Sequence, residues 1–116
     1  MNLQTTATYD KKEQVFILNT PTLESVKFWP GLLGKISNHA LLVALLVIDG
    51  KRYGVQTFIL NHRDCKTHKP MPGVEVNDIG DKMALLQSDN GWMRLTNVKI
   101  PRENMLSRFA KVTPDG

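Results

Sequence analysis

The chain has almost no cysteine: Cys65 is its only thiol. One thiol cannot close an internal disulfide, so nothing calls for an oxidising compartment, and an intracellular setting is the expectation. Long apolar runs are also missing. The longest, Ala40 to Ile48, falls far short of the roughly 20 residues that cross a bilayer as a helix, so no membrane span is expected. The start, Met1-Asn2-Leu3-Gln4, lacks the basic and apolar regions of a secretory leader, and no repeat or low-complexity tract is present. What is there is a chain of 116 residues, the size of one domain and long enough to bury about two thirds of its unfolded surface. Lys and Arg number 15 against 11 Asp and Glu, a formal charge of +4 with an isoelectric point near 9.4. That balance favours anionic partners without choosing among them. The basic residues (Lys11, Lys27, Lys35, Lys51, Arg63, Lys66, Arg94 and others) are scattered rather than interleaved with aromatics. Nucleic acid is therefore not the expected partner. A small basic barrel with Phe28, Trp29, Tyr53, Phe58 and Trp92 as stacking surfaces remains the alternative.

The hydrophobic pattern reads as all-β. Thr5 to Tyr9 and Gln14 to Leu18 are β-prone and separated by the polar Asp10-Lys11-Lys12-Glu13, which predicts a hairpin. Leu23 to Trp29 predicts a third strand, stopping at Pro30 because proline has no ladder N–H. Ala40 to Ile48 is so apolar that periodicity alone does not separate strand from helix. The Asp49-Gly50 pair that follows, a type I′ turn signal, and the β-prone Arg52 to Leu60 favour a long hairpin. Asn61 to Gly73 carries Pro70 and Pro72 and predicts a loop. Val74 to Val76 predicts a short edge strand, Lys82 to Leu86 either a strand or one helical turn, and Asn90-Gly91 a second tight turn. Trp92 to Ile100 predicts one closing strand, and Pro101 the first residue of a short helical turn. Seven or eight mostly antiparallel strands with turns about every ten residues describe a closed or nearly closed small barrel.

Chemistry concentrates in Lys27-Phe28-Trp29-Pro30-Gly31-Leu32-Leu33-Gly34-Lys35-Ile36-Ser37-Asn38-His39-Ala40. Trp29 offers a broad apolar face with an N–H on its rim. Gly31 has no Cβ, so backbone beside it can approach a flat ring system. The competing reading makes Trp29 a core aromatic ahead of a proline turn, since most tryptophans pack. Gly31 to Ile36 fails as a phosphate-binding loop: Trp29 stands where its first glycine belongs and Ile36 where a hydroxyl would hold magnesium. His62, Cys65 and His68 have ligand-like spacing, yet a structural zinc needs a fourth ligand and only Asp64 is near, so no metal is expected. Glu13, Glu24, Glu75 and Glu103 are solitary in polar surroundings, and no nucleophile–base pair is evident.

The Trp-Pro-Gly corner followed by Gly-Lys and Ser-Asn-His-Ala resembles the flavin-side segment of peroxisomal acyl-CoA oxidases. Gln4 to Asp10, Thr67 to Val74, Asp89-Asn90-Gly91 and Ile100 to Leu106 resemble the same family in the same order, covering nearly the whole chain. The resemblance implies that residues 1–116 are the middle β-barrel domain of the acyl-CoA oxidase and dehydrogenase fold, with the N-terminal and C-terminal helical domains absent. It implies an FAD site in which Gly31 lies against the flavin, Trp29 flanks the isoalloxazine and Pro30 stiffens the corner. It further implies acyl-CoA as substrate, trans-2-enoyl-CoA and hydrogen peroxide as products of fatty-acid β-oxidation, a homodimeric partner subunit, and a peroxisomal location. In the family the catalytic base is a glutamate of the C-terminal helical part and a flavin-contacting threonine lies upstream of Gln4. Neither is matched here, so the chain alone is expected to be inactive. Leu32 stands where the family usually carries a second glycine, and Met83 to Leu86 replaces a Phe-Gly-containing stretch. The rival expectation is a non-enzymatic binding or interaction module, or a divergent relic of the oxidase.

Overall fold

The computed structural model describes residues 3–116; the part of the leader reading that rests on residues 1–2 lies outside them. Eight strands form: β1 (Thr6–Asp10), β2 (Val15–Asn19), β3 (Lys27–Gly31), β4 (His39–Ile48), β5 (Lys51–Asn61), β6 (Val74–Asp78), β7 (Asn90–Leu95) and β8 (Val98–Pro101). Among the described residues the helical content is two short 3-10 turns, Leu23–Ser25 and Arg102–Asn104. The all-β expectation is met.

Turn chemistry sets the hairpins. Between β1 and β2 the Asp10 carboxylate accepts the N–H groups of Lys12 and Glu13 at 2.9 and 3.2 Å, an aspartate turn that reverses the chain one residue later than the sequence pattern places it. Between β4 and β5, Asp49 and Gly50 both have positive φ, 49° and 75°, as a type I′ turn requires. The hairpin it closes runs in register from Ile48↔Lys51 to His39↔Asn61, with one irregularity between Leu45 and Val47.

The strands divide into a five-stranded sheet, β5-β4-β1-β2-β8, and a three-stranded sheet, β3-β7-β6. All pairs are antiparallel except β1 with β4. Inward residues of both sheets make one core: Ala7, Phe16, Leu42, Phe58, Leu60 and Leu95 are each 2% exposed or less, and the Phe16 ring meets Phe58 edge-on with centroids 5.0 Å apart. The outward face of the β4–β5 hairpin is apolar too. Leu41 (69% exposed) pairs with Ile59, and Val55 (53%) with Leu45.

Several expectations need correction. The barrel does not close: β1 pairs with β4 only along Leu45–Val47, and across the remaining seam β3 reaches β4 through a side chain, Lys27 Nζ donating to Val43 O at 3.0 Å. The predicted closing strand Trp92 to Ile100 is two strands, because Asn97 (φ 49°) turns the chain from the small sheet into the large one. Asn90-Gly91 is not a turn but the start of β7. The third strand begins later, at Lys27, after the Leu23–Ser25 turn, and runs through Pro30, whose missing N–H is accommodated where the β3–β7 register slips between Phe28 and Gly31. Lys82 to Leu86 is neither strand nor helix. Pro101 ends β8 and precedes the last 3-10 turn rather than opening it.

Candidate functional site

The Trp29-Pro30-Gly31 corner stands at the open seam, at the end of β3. Its backbone is strained on both sides of the Pro-Gly pair: φ is 84° at Trp29 and 63° at Leu32. Positive φ in bulky residues costs on the order of 1–3 kcal/mol each and survives only where surrounding structure dictates it. The surroundings are specific. Asn90 Nδ2 donates to Trp29 O at 2.9 Å, and the Leu32 N–H donates to Asp89 O at 2.6 Å.

The strain leaves the corner open to solvent. Trp29 is half exposed. A Cβ built on Gly31 would meet nothing within 4 Å, so this glycine borders free space rather than packed atoms. Pro30 lines a mostly apolar cleft of about 230 Å³ with Lys27, Leu33, Leu41, Val43 and Met93. Lys27 is the one ionisable group in it, and burial pulls its ammonium pKa below the ordinary lysine value. Of the three predicted site residues, the structure places all on one surface, Pro30 in the cleft wall and Trp29 and Gly31 on the exposed rim.

Downstream, the turn from Leu33 to Ser37 is fastened from two sides. Asp89 Oδ2 accepts the N–H groups of Lys35 and Ile36 at 3.0 and 2.9 Å. Arg63, only 5% exposed, donates through Nη1 to Leu33 O and Ser37 O, both at 2.9 Å, and through Nη2 to Gly34 O at 2.8 Å. Between these clamps Gly34 crosses Gly91 so closely that a Cβ on Gly91 would stand 2.7 Å from Leu33 C. His62 beneath the turn is fully buried with Nε2 3.2 Å from Ser37 Oγ. Burial, reinforced by the neighbouring Arg63 charge, lowers its pKa, so it is held neutral.

Sequence reasoning did not assign Arg63, Asp89 or Asn90 to the corner, and it weighed His62 only as a metal ligand. Arg63 and His62 lie in a polar loop without periodicity, and Asp89-Asn90 looked like ordinary turn residues; only the fold brings them under the corner. The zinc-like spacing does not assemble. His62 faces Ser37, His68 Nε2 lies 2.5 Å from Lys35 O, Cys65 is exposed, and no three potential ligands converge among the described residues.

No family model matches the chain. Individual proteins do. Peroxisomal acyl-coenzyme A oxidase 1 of Cavia porcellus is 54% identical over 114 residues, covering 98% of this chain and 17% of its own length. The crystal structure of acyl-CoA oxidase-1 of Caenorhabditis elegans complexed with FAD and ATP superimposes with a TM-score of 0.96 at 52% identity, over 99% of this chain and 18% of that one. Acyl-CoA oxidase-2 of the same organism, bound with FAD, ascaroside-CoA and ATP, gives 0.96 at 50% identity, over 99% of this chain and 17% of that one.

Proposed function

The chain belongs to the acyl-CoA oxidase family, and we propose that it forms one wall of the FAD site and part of the acyl-CoA cleft of such an oxidase. It spans 17% of the length of the relative named above. The reading therefore makes residues 1–116 the middle β-domain, with helical domains and a second subunit completing the site. The observation that carries it is the exposed Gly31 corner: free space beside a backbone without Cβ, flanked by a half-exposed indole and held in strained geometry. Strain retained at a surface, where packing does not reward it, is what a binding site requires.

The residues fit a flat cofactor. Gly31 leaves room for a ring to lie against the backbone, Trp29 gives it an apolar flank, and Pro30 limits how far the corner can flex. FAD, when bound, supplies the hydride acceptor for α,β-dehydrogenation of an acyl-CoA, with dioxygen as the terminal oxidant and hydrogen peroxide as product. This chain's contribution is to orient the partners and to exclude water along the apolar cleft of Leu33, Leu41, Val43 and Met93. On this reading the catalytic base comes from elsewhere in the oxidase, and the chain by itself should turn over no acyl-CoA. A peroxisomal location follows from the same kinship.

Two measurements test the proposal. The purified chain should bind FAD weakly or not detectably, since one exposed wall is all it offers. A submicromolar site by calorimetry, at least about 8 kcal/mol of binding, contradicts the one-wall reading. In the longer oxidase carrying this chain, Gly31→Val should lower the flavin absorbance retained after gel filtration, while Lys66→Ala in the distant loop should not. Equal flavin content in Gly31→Val and wild type removes the corner from the site.

A further inference from the structure

Arg63 is a buried cation without a counterion. Among the described residues no carboxylate lies within ion-pair distance of it, and its guanidinium donates instead to the carbonyls of Leu33, Gly34 and Ser37. Taking an unpaired charge out of water is costly, and what offsets that cost here is a set of hydrogen bonds to a single turn. All three carbonyls belong to the turn that leaves the Trp29–Leu32 corner. Only Leu33 and Gly34 of that turn are buried, so apolar packing alone anchors it poorly. Its conformation is set by polar contacts: carbonyls on Arg63, N–H groups on Asp89.

We infer that Arg63 is a positioning residue, which acts through the Leu33–Ser37 turn to hold the Trp29–Leu32 corner in the geometry that accepts the flat ligand. The inference rests on the flavin reading above and adds the residue that enforces it. The planar fork matters as much as the charge. Two guanidinium nitrogens reach three carbonyls in fixed directions, which a lysine ammonium at the end of a flexible stem does not reproduce. The neighbouring His62 fits this arrangement: Arg63 Nη1 lies 3.3 Å from its Nε2, an approach that a neutral imidazole tolerates and an imidazolium would repel.

The test uses the whole chain, isotopically labelled, as wild type, Arg63→Lys and Arg63→Met, titrated with FAD while the Gly31 amide and the Trp29 indole N–H are followed by NMR. With the sheet resonances of β1 and β2 in place, both variants should need on the order of tenfold more FAD for the same shift, as expected when one well-placed hydrogen-bond set is lost. Exchange of the Leu32 and Ser37 amides should accelerate by a larger factor than that of β1 and β2 amides, because the opening is local. Variants that titrate like wild type overturn the inference. If wild type itself shows no FAD-dependent shift, as a single wall of the site allows, the flavin reading is decided by the Gly31→Val comparison in the longer oxidase. The exchange data then decide Arg63 on their own: unchanged Leu32 and Ser37 protection overturns its positioning role, and selective loss upholds it. Should Arg63→Met not fold, Arg63→Lys, which keeps the charge and the stem, carries the same comparison.

Discussion

Three glycines at and beneath the corner, Gly31, Gly34 and Gly91, differ in what surrounds them, and alanine substitution should separate them sharply. A Cβ on Gly34 would stand 2.5 Å from Asp89 Oδ1, 2.9 Å from Asp78 Cα and 3.0 Å from Asn90 O, where ordinary contact begins near 3.4 Å. Asp89 cannot simply swing aside, because its other oxygen holds two amides. Overpacking against backbone costs about 1–3 kcal/mol, and weakening hydrogen bonds to a charged acceptor adds about 1.5–3 kcal/mol. Against this, alanine lowers the entropy of the unfolded chain by about 0.4–1 kcal/mol. The net expectation for Gly34→Ala is a loss of about 3 kcal/mol, or roughly 12 °C in melting temperature at about 4 °C per kcal/mol for a chain of this size. Gly91→Ala, whose Cβ meets Leu33 and Gly34 backbone, should cost at least as much. Gly31→Ala meets nothing within 4 Å and should be neutral or stabilising by up to about 1 kcal/mol. Thermal and urea unfolding followed by circular dichroism measure all three. Gly34→Ala within about 1 kcal/mol of wild type, or Gly31→Ala as harmful as Gly34→Ala, would refute the assignment of Gly34 to packing and Gly31 to a ligand.

Three further outcomes are expected. His62 has a folded-state pKa below its unfolded value of about 6.5 because it is buried beside Arg63. Its contribution is therefore fully present above pH 6.5 and lost as pH falls toward the folded pKa, at a limiting slope of about 1.4 kcal/mol per pH unit. Urea midpoints of wild type and His62→Asn between neutral and mildly acid pH should converge on acidification, and parallel curves would contradict the buried neutral state. Phe58→Ala removes a fully buried ring that meets Phe16 and should cost about 3–5 kcal/mol by urea unfolding; a loss below about 1 kcal/mol would mean that the Phe58 ring is not packed in the core. Asp49→Asn removes an ion pair to Lys11, 2.5 Å in length but solvent-exposed at both ends, while keeping a residue suited to the left-handed turn. The melting temperature should stay within measurement error.

Local signals were legible and cross-chain ones were not. The Asp49-Gly50 turn and the long hairpin it closes could be read from the chain because a two-residue turn demands its own residue types. The corner could be read because proline and glycine act locally. Its support could not: Arg63 and Asp89 lie far from it in sequence and resemble any polar loop residue. Asn90-Gly91 misled because its glycine answers a close crossing with Gly34 rather than a turn. The barrel misled for a similar reason, since strand count and turn spacing do not reveal that β3 and β4 form no ladder and that a Lys27 side chain bonds across the seam. Trp92 to Ile100 alternates as one strand would, and the break at Asn97 rests on its positive φ, which the alternation does not announce.

The outward side of the β4–β5 hairpin governs how the isolated chain will behave in a tube. Leu41, Val43, Val55 and Ile59 form a continuous greasy strip, and the net charge of +4 provides only modest mutual repulsion between copies. Self-association will rise with concentration, and more steeply in sulfate or phosphate, which strengthen apolar burial and screen that repulsion. Low-salt buffers without such anions, and dilute samples, are the conditions in which its folding and ligand binding can be measured one molecule at a time.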